Sequence, residues 1–172
     1  MVSIVPVTTS APNREFNVRV AGETLTIPYR IYNEEPSADQ IASLSARQQV
    51  LLHTLFIRHH NGYVRQKHLQ QAIRSHEAWI PPYVVSVIGE YVVEIIQTVA
   101  EGLDQLEDPL SQQSSSYGRY VSENRAVIDL IEARAASYWN VYYRPQFPRF
   151  AQYPSRALVA RLRNASDPFG PT

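Results

Sequence analysis

The stretch "PPYVVSVIGEYVVEIIQTVAEGL", residues 81–103, decides the fold because it is the most hydrophobic part of the chain. Its polar residues recur every three or four positions, the spacing that places side chains along one side of an α-helix. We therefore predict one continuous helix over Pro82–Leu103, central to the core, with a narrow acidic stripe. The polar residues of this helix are Ser86, Glu90, Glu94, Gln97, Glu101 and Asp104.

Near the N-terminus, apolar and polar residues alternate between positions 16 and 31, which predicts a β-hairpin with one apolar face. Its turn is Ala21-Gly22-Glu23. Two strands alone are only marginally stable in water, so helices or another chain must cover that face. Residues 1–13 are rich in Ser, Thr, Pro and Ala without any period, and we expect a flexible N-terminal arm there.

Two helices joined by a short turn are predicted next. The first covers about residues 46–59 and ends at Asn61-Gly62, since both residues tolerate the left-handed conformation of a helix end. The second covers about residues 64–76. Two pairs have the spacing of capping boxes, Ser37 with Gln40 and Ser45 with Gln48. The residues of the second helix expected to face inward are Leu69, Ala72, Ile73 and His76.

The C-terminal half is predicted to contain a linker, a helix and an arm. Residues 107–118 are polar and low in complexity, which is typical of a mobile linker. Ser122 is placed to cap a helix that reaches about Tyr143. Three prolines then interrupt any continuous helix, so we expect residues 144–172 to form an outer arm with a short helix at about 156–163.

These elements predict a mainly α fold: a helical bundle of about four longer helices with an N-terminal β-hairpin and a Pro/aromatic-rich C-terminal arm. Residues 14–143 are expected to form a single helical domain with the hairpin at 14–33, because roughly 100–200 residues is the usual size of one cooperative core.

The composition excludes several kinds of site. The 172 residues contain 16 basic and 16 acidic side chains, so no long-range field attracts a polyanion or an anionic membrane. The absence of cysteine excludes disulfides, Cys-ligated zinc and thiol nucleophiles. Glu90 and Glu94 near the middle of the apolar stretch argue against a membrane span. We expect a cytoplasmic protein that needs no cofactor.

The charges are divided into blocks along the chain. Residues 40–76 contain five basic residues and no acid, whereas residues 77–108 contain seven acids and no base. These blocks pair within one chain or between two chains. The function we expect is a non-catalytic protein-interaction or self-assembly module, with a protein partner or a second copy as its ligand. Besides the hairpin edge, its contact residues are Glu90, Glu94, Glu101, Asp104, Tyr142, Tyr143, Arg144, Phe147, Arg149 and Phe150.

A nucleic-acid binder is the alternative, because the two helices around Asn61-Gly62 have helix-turn-helix spacing. The outer row of the second helix has side chains of the types that read bases and phosphates. This row consists of Arg65, Gln66, Lys67, Gln70 and Arg74.

A metal-dependent hydrolase is the third hypothesis. All five histidines lie within 24 residues, and Glu90 and Glu94 form a pair on one predicted helix face, so imidazoles and carboxylates could bind a divalent metal. The residues concerned are His59, His60, Glu90 and Glu94. The chain lacks the H-E-x-x-H and G-x-S-x-G motifs, and we favour no catalytic residue and no metal site.

Overall fold

The fold is mainly α-helical with one N-terminal β-hairpin, which confirms the predicted class. It is known from a computed structural model that describes residues 14–169. The arm predicted for residues 1–13 lies outside that range, as do residues 170–172 of the predicted C-terminal arm. Across residues 14–169, no helix combines the length and apolar character needed to cross a lipid bilayer.

The secondary structure of the described residues follows in chain order. The strands are β1 Glu15–Val20 and β2 Glu23–Pro28. The helices are α1 Ala38–Ala42, α2 Ala46–Phe56, α3 Gly62–Ala72, α4 Ile80–Ile88, α5 Val93–Gly102, α6 Gln112–Glu123, α7 Arg125–Tyr138 and α8 Pro154–Ser166. A π-helix, Trp139–Tyr143, extends α7, and 3-10 turns at Phe150–Gln152 and Asp167–Phe169 flank α8.

The hairpin is antiparallel, with Val18 opposite Leu25. Ala21 and Gly22 take positive φ angles of 52° and 83°, as a two-residue turn between twisted strands requires. Val18 and Ile27 are buried in the same core as the helices. The helices of this chain therefore cover the apolar face of the hairpin.

A side-chain amide holds the outer edge of β1 against the helices. Asn124, between α6 and α7, accepts the Arg19 N–H through Oδ1 at 2.8 Å. Its Nδ2 group donates to the Arg19 carbonyl at 2.8 Å and to the Tyr120 carbonyl at 2.8 Å. The amide thus satisfies both backbone groups of Arg19, as a third strand would.

We predict that Asn124→Ala lowers the free energy of unfolding by about 1–3 kcal/mol, because the partners of the buried amide lose their hydrogen bonds. Hydrogen exchange should be faster at the amides of β1 and β2. The control is Asn17→Ala, which removes only an exposed bond from the Thr26 hydroxyl and should change stability by less than about 0.5 kcal/mol. Equal protection of the hairpin in both variants would contradict the docking role.

The turn between α2 and α3 differs from the prediction, although both capping boxes form. Asn61 does not end α2 in a left-handed conformation; its φ is −79°, and it caps α3 by accepting the Tyr63 N–H. The helix α2 ends earlier because the chain beyond it bridges to Ile31. The Ile31 N–H donates to the Arg58 carbonyl at 2.9 Å, and the Ile31 carbonyl accepts the His60 N–H at 2.9 Å.

The predicted continuous helix over Pro82–Leu103 was wrong, because the chain leaves the helical path between α4 and α5. A Cβ on Gly89 would stand 3.3 Å from the Cα of Ile131 in α7, so the backbone approaches α7 more closely than a side chain readily allows. The break also changes the expected geometry of two acids. Glu90 is buried, whereas Glu94, one helical turn later in sequence, is exposed.

The predicted linker over residues 107–118 is largely helical, since α6 begins at Gln112. Ser111, rather than Ser122, is the capping serine in this region, and it accepts the Ser114 N–H at 2.9 Å. The small residues of α6 allow close packing against α8. A Cβ on Gly118 would stand 2.0 Å from the Ala165 carbonyl oxygen, so only glycine fits there.

The helix α8 belongs to the core, which corrects its predicted place in an outer arm. It starts at Pro154, where proline suits the first turn because no helical N–H is needed. Its inward side chains, Leu158, Val159 and Leu162, are fully buried. Prolines therefore ended the preceding helix, as expected, without excluding the segment that follows from the core.

Candidate functional site

A buried ion cluster joins four segments of the chain around one carboxylate. Glu90 lies 3.0 Å from Arg30 Nη1, 3.1 Å from Arg58 Nη1 and 3.3 Å from Arg65 Nη2. The exposed fraction is 6% for Glu90, 1% for Arg58 and 3% for Arg65. These four residues are called the Glu90 cluster below.

Arg58 binds the end of the hairpin as well as Glu90. Its guanidinium donates to the Pro28 carbonyl at 3.2 Å, to the Tyr29 carbonyl at 2.6 Å and to Ser86 Oγ at 2.9 Å. Burial lowers the pKa of Arg58 to about 10, while the nearby Glu90 carboxylate opposes that shift. The side chain therefore stays charged at neutral pH.

Arg65 fixes the turn between α2 and α3 from inside. Its Nη1 group donates to the His59 carbonyl at 2.9 Å and to the His60 carbonyl at 3.0 Å. Burial lowers its pKa, and Glu90 opposes this effect. Carbonyl oxygens thus supply acceptors for guanidinium groups that a single carboxylate cannot satisfy.

We predict that Glu90→Gln lowers the free energy of unfolding by about 3–5 kcal/mol, because three guanidinium groups then share a cavity with no negative charge. Chemical denaturation measures the change. Glu101→Gln is the control, since Glu101 is exposed and its substitution should cost less than about 0.5 kcal/mol. A loss for Glu90→Gln as small as the loss expected for the control would show that the cluster does not stabilise the fold.

The predicted nucleic-acid row is not one surface. Arg65 was placed outward and lies inside, because its guanidinium reaches Glu90. Lys67 forms an ion pair with Glu35 at 2.6 Å, and Gln66 donates to Thr98 Oγ1 at 3.1 Å. Gln70 and Arg74 are exposed.

A polar groove of about 620 Å³ lies between α3 and α5 and brings together residues from both predicted surfaces. Gln70 and Arg74 of the basic row line it, opposite Glu101 and Asp104 of the acidic stripe. His76, which was expected to face inward, is exposed at the same groove. The groove is a polar surface of mixed charge, which differs from a uniformly basic footprint for nucleic acid.

A chain of hydrogen-bonded side chains connects α2, α3 and the segment before α1. Glu35 Oε1 lies 3.0 Å from His68 Nε2, and His68 Nδ1 lies 2.8 Å from His53 Nδ1. Lys67 and His68 lower the pKa of Glu35, so the carboxyl group is ionised and accepts. It follows that His68 carries its proton on Nε2 and accepts a hydrogen bond from His53 Nδ1–H.

These histidines are neutral at neutral pH. Burial, with smaller effects from His53 and Lys67, lowers the pKa of His68 to about 4 despite the opposing Glu35. Burial also lowers the pKa of His53 and His59. The Phe56 ring stacks on His59 and His68, with centroids 5.7 Å and 4.8 Å apart, which keeps both rings in an apolar setting.

We predict that the free energy of unfolding falls as the pH drops from 6.5 toward 4. Between those values the unfolded His68 is protonated and the folded one is not, so protons favour the unfolded state. The lowered pKa corresponds to about 3 kcal/mol. His68→Gln should reduce the loss, and the exposed-site control His76→Gln should keep it. Identical pH profiles for the two variants would refute this assignment.

An exposed row of aromatic side chains lies where α7 passes into the π-helix. The ring of Tyr138 is 6.0 Å from that of Tyr91 and 6.3 Å from that of Tyr142. Tyr91 is 55% exposed, Tyr142 63% and the adjacent Val141 64%. These four residues are called the aromatic ridge. Tyr142 was predicted as a contact residue, whereas Tyr91 was not, because Tyr91 was assigned to a continuous buried helix.

Hydrogen bonds and ring packing fix the base of the aromatic ridge. The Tyr143 hydroxyl donates to the Tyr91 carbonyl, and Trp139 Nε1–H donates to the Phe147 carbonyl at 2.7 Å. Phe147 and Phe150 are partly buried and pack around Tyr153, which is fully buried. Of the predicted aromatic/Arg contact residues, these rings therefore belong to the packing, whereas Arg144 and Arg149 are exposed.

The structure does not assemble the hydrolase residues into a metal site. Within residues 14–169, no group of three His, Asp or Glu side chains could hold a metal ion. Glu90 is neutralised by three guanidinium groups, and Glu94 is exposed on α5. A metal-dependent mechanism therefore has no ligand set in this part of the chain.

No protein-family model, curated protein or solved structure matches the sequence or the fold.

Proposed function

We propose that this protein is a non-catalytic protein-interaction module that docks its partner on the aromatic ridge. The observation that carries the proposal is the exposure of Tyr91 and Tyr142, whose rings both contact Tyr138, with Val141 exposed next to Tyr142 in the chain. Tyrosine is enriched at binding hot spots because it offers a large contact area for little loss of conformational entropy.

The rigid base of the ridge supports this function. Tyr143 and Trp139 hold the π-helix to Tyr91 and Phe147 by hydrogen bonds, so the backbone that carries the exposed rings is held in place before a partner binds. A pre-organised surface loses less entropy on binding than a mobile one. π-Helical segments are rare and frequently lie at functional sites.

The buried charges favour docking over catalysis. Glu90 and His68 are deeply buried titratable groups, and neighbouring side chains engage the polar atoms of both. The nucleic-acid alternative loses Arg65 to the Glu90 cluster, and Lys67 is paired with Glu35. A cytoplasmic location is part of this proposal and can be checked by fractionation of the host cells.

We predict that a photoreactive benzophenone amino acid at position 142 cross-links the chain to a discrete protein when expressed in its native host, because the partner covers the aromatic ridge. Gel mobility and mass spectrometry of the adduct give the measurement. The control is the same amino acid at position 63, since Tyr63 is 87% exposed and makes no ring contact within residues 14–169. Adducts with nucleic acid would favour the alternative, and equal or absent cross-linking at the two positions would refute the proposal.

A further inference from the structure

The aromatic ridge is flanked by an acid on its α5 side. Glu94 follows Tyr91 by three positions and is exposed. It lies in the first turn of α5, just after Tyr91, whose carbonyl accepts the Tyr143 hydroxyl at the base of the ridge. Within residues 14–169 no basic side chain forms an ion pair with Glu94.

A base flanks the ridge on its α7 side. Arg144 follows Tyr142 by two positions, and its Cζ lies 5.0 Å from the Trp139 ring centroid. The guanidinium is exposed, and it makes no ion pair in the described part of the chain. Stacking on Trp139, the neighbour of Tyr138 in the chain, restricts the Arg144 side chain.

We propose that the partner on the aromatic ridge is a second copy of this chain, in a twofold dimer where Glu94 of each copy faces Arg144 of the other. The proposal rests on the docking function given above and names its occupant. A twofold interface uses the same patch on both subunits, so that patch must be complementary to itself. An aromatic centre with one unpaired acid and one unpaired base meets this requirement.

The remaining charges are compatible with self-association. The chain has 16 basic and 16 acidic residues, so two copies approach without net repulsion. The Glu94–Arg144 contacts would lie beside rings that exclude water, where ion pairs are screened less than on open surface. Tyr142 and Val141 would supply the apolar area at the centre.

The test uses two charge reversals, Glu94→Arg and Arg144→Glu, measured by sedimentation velocity over a range of concentrations. Either variant alone places two like-charged pairs in its own dimer, and we expect its association to weaken at least about tenfold. In an equimolar mixture, a chain with Glu94→Arg can pair with a chain with Arg144→Glu. At one contact the two substituted side chains then face each other. At the other contact, the unchanged Arg144 of the first chain faces the unchanged Glu94 of the second. Both contacts then pair opposite charges again, so the mixture should form a heterodimer with affinity close to that of the unchanged chain.

The mixture also controls for folding, because two misfolded variants would not restore each other. Glu101→Arg and Arg149→Glu are matched surface controls. Both residues are exposed, and they lie seven positions after Glu94 and five positions after Arg144. Both variants should dimerise normally. Failure of the mixture to associate would overturn the proposal.

The outcome separates this proposal from the docking function. A chain that is monomeric at every concentration, but cross-links through position 142 to a different protein, would overturn the dimer and leave the docking function intact. A chain that neither dimerises nor cross-links would overturn both.

Discussion

The carboxylate of Glu90, buried among three guanidinium groups, is the interaction on which the rest of the structure depends. It joins the end of the hairpin through Arg30, the end of α2 through Arg58 and the first turn of α3 through Arg65. Burying a charge is costly unless an opposite charge and hydrogen bonds offset the lost hydration. Here the carbonyl groups at the hairpin end and the α2–α3 turn supply the additional acceptors, so the cluster sets the geometry of both segments.

The same carboxylate links the core to the surface. The chain leaves the helical path at Gly89, where the backbone lies close to α7. Glu90 lies four positions after Ser86, and Arg58 Nη1 contacts both side chains. The next residue, Tyr91, then points outward and becomes one end of the aromatic ridge. Its carbonyl, freed from a helical hydrogen bond by the break, accepts the Tyr143 hydroxyl. The interruption of the helix thus lies between the buried Glu90 and the exposed Tyr91, and it provides the anchoring point of the π-helix.

The parts of the fold that local sequence could predict are those whose signal is periodic or chemically specific. The alternation around Val18 and Ile27 predicted the observed hairpin. The capping pairs predicted where α1 and α2 start. The break at Glu90 was missed because its spacing from Glu94 equals one helical turn, and periodicity alone does not reveal which acid finds a buried partner. The helix α6 was missed because serine-rich composition resembles a linker, whereas Tyr117 and Gly118 show their role only against α8. Arg65 was misplaced for a related reason: its burial requires an acid from a distant segment.

Which residues of the basic and acidic blocks form contacts inside the chain matters more for function than how many charges each block contains. Arg58 and Arg65 from the basic block are used internally, and Glu90 is the acid that pairs with both. Lys67 and Glu35 likewise form a contact within the chain, beside the hydrogen-bonded histidines. The polar groove and the aromatic ridge are two surfaces of the described residues that lie outside these contacts. Of the two, the groove is lined mainly by polar side chains, whereas the ridge exposes apolar area whose removal from water favours association. Docking is therefore favoured because the aromatic rings of the ridge are uncovered, whereas Glu90, Arg58 and Arg65 in the core are paired with one another.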